Sequence, residues 1–193
     1  RHAVATRRDV GISKVAACAA HFRSITPDCA VEAHDEMFTA DVAGRFLGDG
    51  GQPPAIVVDC IDDLPTKADL LEACVARGLN TLSALGAGGK GDPTRLCVAR
   101  GLQDIENDPL ASKLRTMFRT RVADLSKVAF VYSSQKADRA LLPLTDEQRK
   151  SPAEFGNVAN FRLRVLPVLG TQPALEGVAL AAQVLSELAS PVE

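Results

Sequence analysis

Apolar positions along the chain follow two spacings that alternate. Over residues 9–26, apolar side chains recur near every fourth position, which predicts a helix that Pro27 and Asp28 end. The continuous apolar run AIVVD at residues 55–59 is instead typical of a strand buried on both faces of a parallel sheet. The chain therefore combines helices with buried strands.

The same patterns and their capping residues predict the remaining elements. Strands are expected at residues 29–34, 80–85, 94–99 and 127–133, and helices at 39–47, 65–77, 108–122 and 170–189. Pro65 lies in the first turn of the second of these helices and Gly78 is its C-cap. The alternation predicts an α/β fold with a mostly parallel sheet, in one domain over residues 1–193 with an irregular arm at about 134–165.

Composition narrows the class of protein. Hydrophobic residues make up 46% of the 193, enough for one core, and a net charge of −2 disfavours a general nucleic-acid coat or a membrane-surface binder. The five cysteines are odd in number and form no C-x-x-C pair, so we interpret them as buried thiols in a reducing compartment. The apolar stretch at 173–189 carries Glu176 and Glu187, which indicates a core helix and no membrane contact.

The segment 86–91, GAGGKG, matches G-x-G-x-x-G and follows a predicted strand. A dinucleotide loop must also open a helix, whose N-terminal amides hold the pyrophosphate, but here the chain turns into another strand. We therefore interpret this segment as a tight loop in which backbone approaches backbone or a ligand.

Three carboxylates lie at the end of the predicted strand at 55–59 and directly after it. Asp59, Asp62 and Asp63 would lie at the carboxyl end of the sheet, where α/β proteins bind ligands, and would repel one another unless a cation or donor neutralises them. Magnesium suits such oxygen ligands. The alternative is that Asp63 only caps the following helix and Asp59 only ends the strand. Because of its position at the carboxyl end of the strand, we assign function to Asp62.

Basic residues cluster in two places. The chain opens with Arg1, Arg7, Arg8 and Lys14, groups that can bind phosphates or form a solvated face. A second cluster at 113–127 contains Arg115 and Arg119, which would share a helix face, and either contacts nucleic-acid phosphates or is solvated. The three histidines are scattered over different elements, and we interpret each as structural.

Five segments together resemble a known family. They are RHAVATRRDVGISKV (1–15), ITPDC (25–29), VVDCIDD (57–63), SALGAGGKGDPT (83–94) and DPLASKLR (108–115). This order resembles the ThiF-like adenylating domain that ubiquitin-activating, molybdopterin-synthase-activating and thiamine-pathway enzymes share. The GAGGK and DPL segments resemble its tRNA threonylcarbamoyladenosine dehydratase branch, and FRLRVLPVLGTQPALEG (161–177) is similar to the fungal, eukaryotic type.

The resemblance implies site residues. Arg1 matches the family's ATP-phosphate arginine, Lys14 its phosphate-contacting lysine and Asp62 its magnesium-linked aspartate, while Lys90 is expected to contact or support the substrate or nucleotide. His2 replaces the family's usual glutamine. The family's nucleotide-binding glycine loop would precede Arg1, so we expect a portion of a longer protein that binds ATP poorly by itself.

The implied reaction is the ATP- and Mg²⁺-dependent dehydration of threonylcarbamoyladenosine in tRNA through an acyl-adenylate, by a homodimer. By resemblance, an N-terminal segment would hold it on the cytosolic side of the mitochondrial outer membrane. An activating enzyme for a ubiquitin-like or sulfur-carrier protein is the alternative, although the chain has no cysteine after residue 100 for a thioester. A third possibility is an inactive truncated scaffold.

Overall fold

A computed structural model of the chain describes residues 4–121, 123–139, 141–151 and 166–189. The chain divides into two compact units, Arg1–Phe38 and Thr39–Glu193.

The first unit is built on helix α1, Lys14–Ile25. The helix begins later than the pattern predicts because Ser13 caps it, its Oγ accepting the amide of Ala16 at 3.2 Å. The predicted strand at 29–34 is wrong, since these residues are irregular and all the described strand ladders lie in the second unit. A strand needs a neighbour for its backbone groups, and here the Arg23 guanidinium donates to the Val31 carbonyl at 2.7 Å instead.

The second unit contains a four-stranded sheet in the order β1-β2-β4-β3. Strands β1, β2 and β4 are parallel and β3 is antiparallel to β4, which confirms the mostly parallel α/β prediction. The strands are β1 Val57–Asp59, β2 Thr81–Ala84, β3 Leu96–Arg100 and β4 Ala129–Ser133. The helices are α2 Ala43–Leu47, α3 Leu64–Ala76, α4 Pro109–Met117, α5 Asp146–Lys150 and α6 Thr171–Ala189.

Helices cover both faces of this sheet. Phe130 and Tyr132 of β4 face a core formed with α3 and α4, whereas Ala129 and Val131 face α6 and pack with its Leu180. All five residues of β4 are buried, as the apolar run at 127–133 predicts for a central strand.

Strand β1 differs from its prediction. It lies at the edge of the described sheet, and Val58 is 44% exposed instead of buried. The reason is the path of α6, which contacts β2 and β4 on this face of the sheet.

Capping residues set the ends of the long helices. Asp63 and Asp108 cap α3 and α4, and the turn after α3 carries Gly78 at φ +66° with its amide 3.0 Å from the Val75 carbonyl. Helix α4 ends at Met117, earlier than the expected residue 122, because the chain turns at Phe118. No helix in the described part of the chain is long and apolar enough to cross a membrane.

The arm predicted at 134–165 is only partly described. It contains the short helix α5, which Thr145 begins with a capping box. Residues 152–165 lie outside the described part of the chain.

Candidate functional site

Three parallel strands end at the same edge of the sheet. The last residues of β1, β2 and β4 are Asp59, Ala84 and Ser133. Asp59 and the two carboxylates of the next loop, Asp62 and Asp63, form the acidic triplet, and the loop after β2 carries the GAGGKG segment. In open α/β sheets this edge is where ligands bind. The motifs that the sequence singled out in the second unit therefore lie along one candidate crevice.

A buried ion pair joins the ends of β1 and β2. Lys67 Nζ of α3 lies 2.5 Å from Asp59 Oδ2, with both side chains fully buried, and also donates to the Ala84 carbonyl at 2.8 Å. Ser83 Oγ donates to the same carboxylate oxygen at 2.6 Å. Asp59 is thus neutralised inside the protein and is not free to bind a cation.

The other oxygen of Asp59 shapes the loop that follows. Oδ1 accepts the amide of Ile61 at 2.9 Å, and Asp63 Oδ2 accepts the amide and hydroxyl of Thr66 at 3.1 and 2.6 Å. Asp62 lies between these two turns and is exposed, with no partner recorded among the described residues. Of the three carboxylates, it is the one that faces solvent.

A second buried ion pair holds the GAGGKG loop. Lys90 Nζ lies 2.8 Å from Asp108 Oδ2 and 2.8 Å from the Ser133 carbonyl. The loop leads into a 3-10 turn and then β3, so the interpretation as a tight loop, not a dinucleotide loop, is confirmed. At Gly89 the chain adopts a φ of +70°, which favours glycine.

Helix α6 places two more polar side chains beneath this edge. Gln172 is 1% exposed and Glu176 4%, and Gln172 Nε2 donates to Glu176 Oε1 at 3.2 Å. Burial raises the pKa of the Glu176 carboxyl, and Asp108 adds to the rise, while the bond from Gln172 and the charge of Lys90 oppose it. Gln172 Oε1 is buried without a hydrogen-bond partner among the described residues.

The predicted site residues fall into both units. Arg1 lies outside the described residues, and Lys14 is exposed at the start of α1 in the first unit. Asp62 and Lys90 follow neighbouring strands in the second unit, the former exposed and the latter 3% exposed in an ion pair.

The basic cluster after residue 113 does not form one helix face. Arg115 Nη1 donates to the carbonyls of Leu102 and Ile105 at 2.7 and 2.8 Å, which fixes the segment before α4. Arg119 is exposed and lies beyond the end of α4 at Met117. The idea that the two arginines share a helix face is wrong because the helix ends between them.

Neither Lys67 nor Asp108 was expected to be the partner of a buried charge. Lys67 lies on the buried face of α3 together with Leu70, Leu71 and Cys74. A lysine on such a face indicates that a buried opposite charge lies next to it. The sequence predicts Asp108 as a helix cap, but no local pattern indicates that its second oxygen binds Lys90.

Asp62 alone does not make a metal site. The described residues contain no group of three or more His, Cys, Asp or Glu side chains that could hold a metal ion. Magnesium usually keeps several waters and binds through one or two carboxylates together with substrate phosphates. A single exposed carboxylate fits that mode.

Comparison with known proteins identifies relatives over the whole chain. The ThiF family model matches residues 1–186. The chain is 40% identical over 200 residues to tRNA threonylcarbamoyladenosine dehydratase 2 of Saccharomyces cerevisiae, covering 100% of this chain and 44% of the relative. Dehydratase 1 of the same yeast is 29% identical over 191 residues, covering 97% and 43%. The chain thus spans less than half the length of these two relatives.

Solved structures agree with the sequence relatives. The crystal structure of Escherichia coli tRNA N6-threonylcarbamoyladenosine dehydratase in complex with AMP is similar, with a TM-score of 0.75 and 25% identity, over 97% of this chain and 68% of that one. The sheet, its covering helices and the family match over 186 residues therefore lead to one conclusion. The chain belongs to the ThiF family.

Proposed function

We propose that the protein to which this chain belongs is an ATP-dependent tRNA threonylcarbamoyladenosine dehydratase. The observation that carries the proposal is Asp62, the exposed carboxylate at the end of β1 between two carboxylates that are already engaged. The similarity to the yeast dehydratase over the entire chain supports the substrate.

The reaction has two chemical steps. The carboxylate of the threonylcarbamoyl group attacks the α-phosphorus of ATP, which forms an acyl-adenylate and releases pyrophosphate. The neighbouring carbamoyl group then attacks the acyl carbon, expels AMP and closes a ring, so that one water equivalent is lost overall. The task of the protein is to align the reactants and to neutralise phosphate charge.

Individual residues have distinct proposed roles. Arg1 and Lys14 stabilise the phosphate charge, and Lys14 is accessible for this because it is exposed at the N-terminus of α1. Asp62 would hold Mg²⁺, which would neutralise phosphate oxygens when bound. Lys90 supports the nucleotide or substrate site indirectly, because its ammonium already binds the Asp108 carboxylate and the Ser133 carbonyl.

An activating enzyme for a ubiquitin-like or sulfur-carrier protein uses the same adenylation chemistry. It is favoured by a local similarity, 35% over 83 residues, to ubiquitin-like modifier-activating enzyme 5 of Drosophila melanogaster. That match covers 39% of this chain, so the dehydratase remains our first proposal.

We further propose that the protein is a homodimer on the cytosolic side of the mitochondrial outer membrane. The apolar side chains of Val178, Leu185 and Leu188 on α6 are 61–68% exposed and support a partner surface. Sedimentation of Leu185→Glu beside the native chain tests the dimer, and the variant should sediment as a monomer.

Adenylation assays distinguish the two activities. The chain within its full open reading frame should catalyse ATP–pyrophosphate exchange with threonylcarbamoyl-modified tRNA and not with ubiquitin-like or sulfur-carrier proteins. Unmodified tRNA is the matched control, because it lacks the attacking carboxylate. Exchange with a carrier protein alone would overturn the proposal.

A further inference from the structure

The GAGGKG loop at residues 86–91 is attached at both ends to one carboxylate. Asp108 Oδ2 accepts the amide of Gly86 at 3.1 Å and the ammonium of Lys90 at 2.8 Å. The same side chain caps α4, since Oδ1 accepts the amide of Ala111 at 2.9 Å. The Asp108 side chain is fully buried, so water does not compete for these three bonds.

Further contacts tie the loop to the sheet. Lys90 donates to the carbonyl of Ser133, the last residue of β4, and Gln135 Oε1 accepts the amides of Gly91 and Asp92 at 2.7 and 2.8 Å. The loop is therefore fixed relative to β4 as well as to α4. Its first residues follow β2, the neighbour of the strand that ends at Asp59, three residues before Asp62.

Gly86 shows how closely the carboxylate approaches the backbone. A Cβ at this position would lie 3.4 Å from Asp108 Oδ2. The base of the loop is thus held by the buried ion pair of Lys90 and Asp108, because displacing either member would leave the other charge without its partner.

From these contacts we infer that Asp108 is a positioning residue, which fixes the GAGGKG loop through Gly86 and Lys90 so that the loop aligns the substrate at the crevice beside Asp62. The inference rests on the proposed adenylation. Lys90 acts in the same way, through the loop. Neither side chain needs to touch the reacting atoms, because misplacing a crevice loop by an ångström is enough to slow the reaction.

Asp108→Asn tests this role because it removes the charge and keeps the side chain's shape. Asp63→Asn is the matched control for exchange and stability, since Asp63 caps α3 as Asp108 caps α4 but does not contact the loop. Amide hydrogen exchange on the chain itself should accelerate by about tenfold or more at Gly86 and its neighbours in Asp108→Asn, and stay unchanged there in Asp63→Asn.

Turnover provides the second measurement. In the full open reading frame, kcat per folded molecule should fall by roughly ten- to a hundredfold in Asp108→Asn, with the folded fraction measured at the assay temperature. If Asp108→Asn folds too poorly to be assayed, Lys90→Met replaces it in the test, because it leaves the α4 cap intact. Lys90→Met should show the same loss of kcat. Lys90→Arg, which keeps the charge, should recover part of it.

The outcomes separate the two proposals. Unchanged loop exchange together with normal kcat per folded molecule would reduce Asp108 to a helix cap and overturn the inference. A wild-type protein without tRNA-dependent adenylation would overturn the proposed function and the catalytic part of this inference with it. The exchange rates would then still decide whether Asp108 fixes the loop.

Discussion

At the scale of single residues, Asp62 and Asp63 are adjacent carboxylates with different surroundings. Asp62 is exposed and has no recorded partner within the described residues, whereas Asp63 caps α3. In the full open reading frame, Asp62→Asn should leave folding nearly intact and lower adenylation by two or more orders of magnitude, on the order of 3 kcal/mol. Pyrophosphate exchange and thermal unfolding measure both effects.

Asp63→Asn should behave in the opposite way. Losing the cap should cost about 1 kcal/mol of stability and much less activity than Asp62→Asn. If Asp63→Asn abolishes adenylation while Asp62→Asn remains close to wild type, the two roles are reversed.

Glu176 offers a test of burial through pH. Its pKa in the folded protein lies above the ordinary value of 4.5, so the protonated folded form is favoured. The protonated Glu176 carboxyl contributes its full stabilisation of the folded state below pH 4.5. This stabilisation is lost as the pH rises through the pKa of Glu176 in the folded protein. Glu176→Gln has no proton to lose, so its unfolding midpoint should rise relative to wild type as the pH increases across that window.

Urea unfolding at several pH values measures this difference. Glu176→Ala is the control, because it removes buried atoms and should cost stability at every pH. A difference between Glu176→Gln and wild type that stays constant with pH would mean that the carboxyl does not titrate in this range.

At the scale of elements, the end of α4 separates Arg115 from Arg119. Arg115→Ala should lower stability by about 1–3 kcal/mol, because two bonds from a charged donor to the carbonyls of Leu102 and Ile105 are lost. Arg119→Ala should leave unfolding unchanged and reduce the salt slope of tRNA binding by about 1. An unchanged slope would make Arg119 a solvated residue.

At the scale of the whole molecule, residues 1–193 alone should bind ATP weakly. Its G-x-G-x-x-G segment runs into β3, so it supplies no helix N-terminus for a triphosphate. Calorimetric titration with ATP and Mg²⁺ should give a Kd on the order of millimolar or weaker. AMP is the matched control, and binding of either nucleotide in the low micromolar range would contradict the prediction.

Local patterns predicted much of this molecule. Apolar periodicity and capping residues located α3, α6 and β4, because the position of a helix or a central strand depends on nearby residues. The same reasoning assigned Asp63 to a cap, which the structure confirms. It predicted a strand at 29–34 wrongly, since a strand also requires a neighbour to pair with.

Residue patterns were sufficient for the α/β class, for the order of the sheet strands and their helices in the second unit, and for the acidic and glycine-rich segments at the ends of β1 and β2. Which charges are paired depends instead on how the helices pack against the sheet. Lys67 and Asp59 are 8 residues apart and Lys90 and Asp108 are 18 apart, and each pair meets only once helices pack on the sheet. Burial then makes each pair obligatory, because an unpartnered charge inside the protein is costly, and this leaves Asp62 as the exposed carboxylate of the acidic triplet.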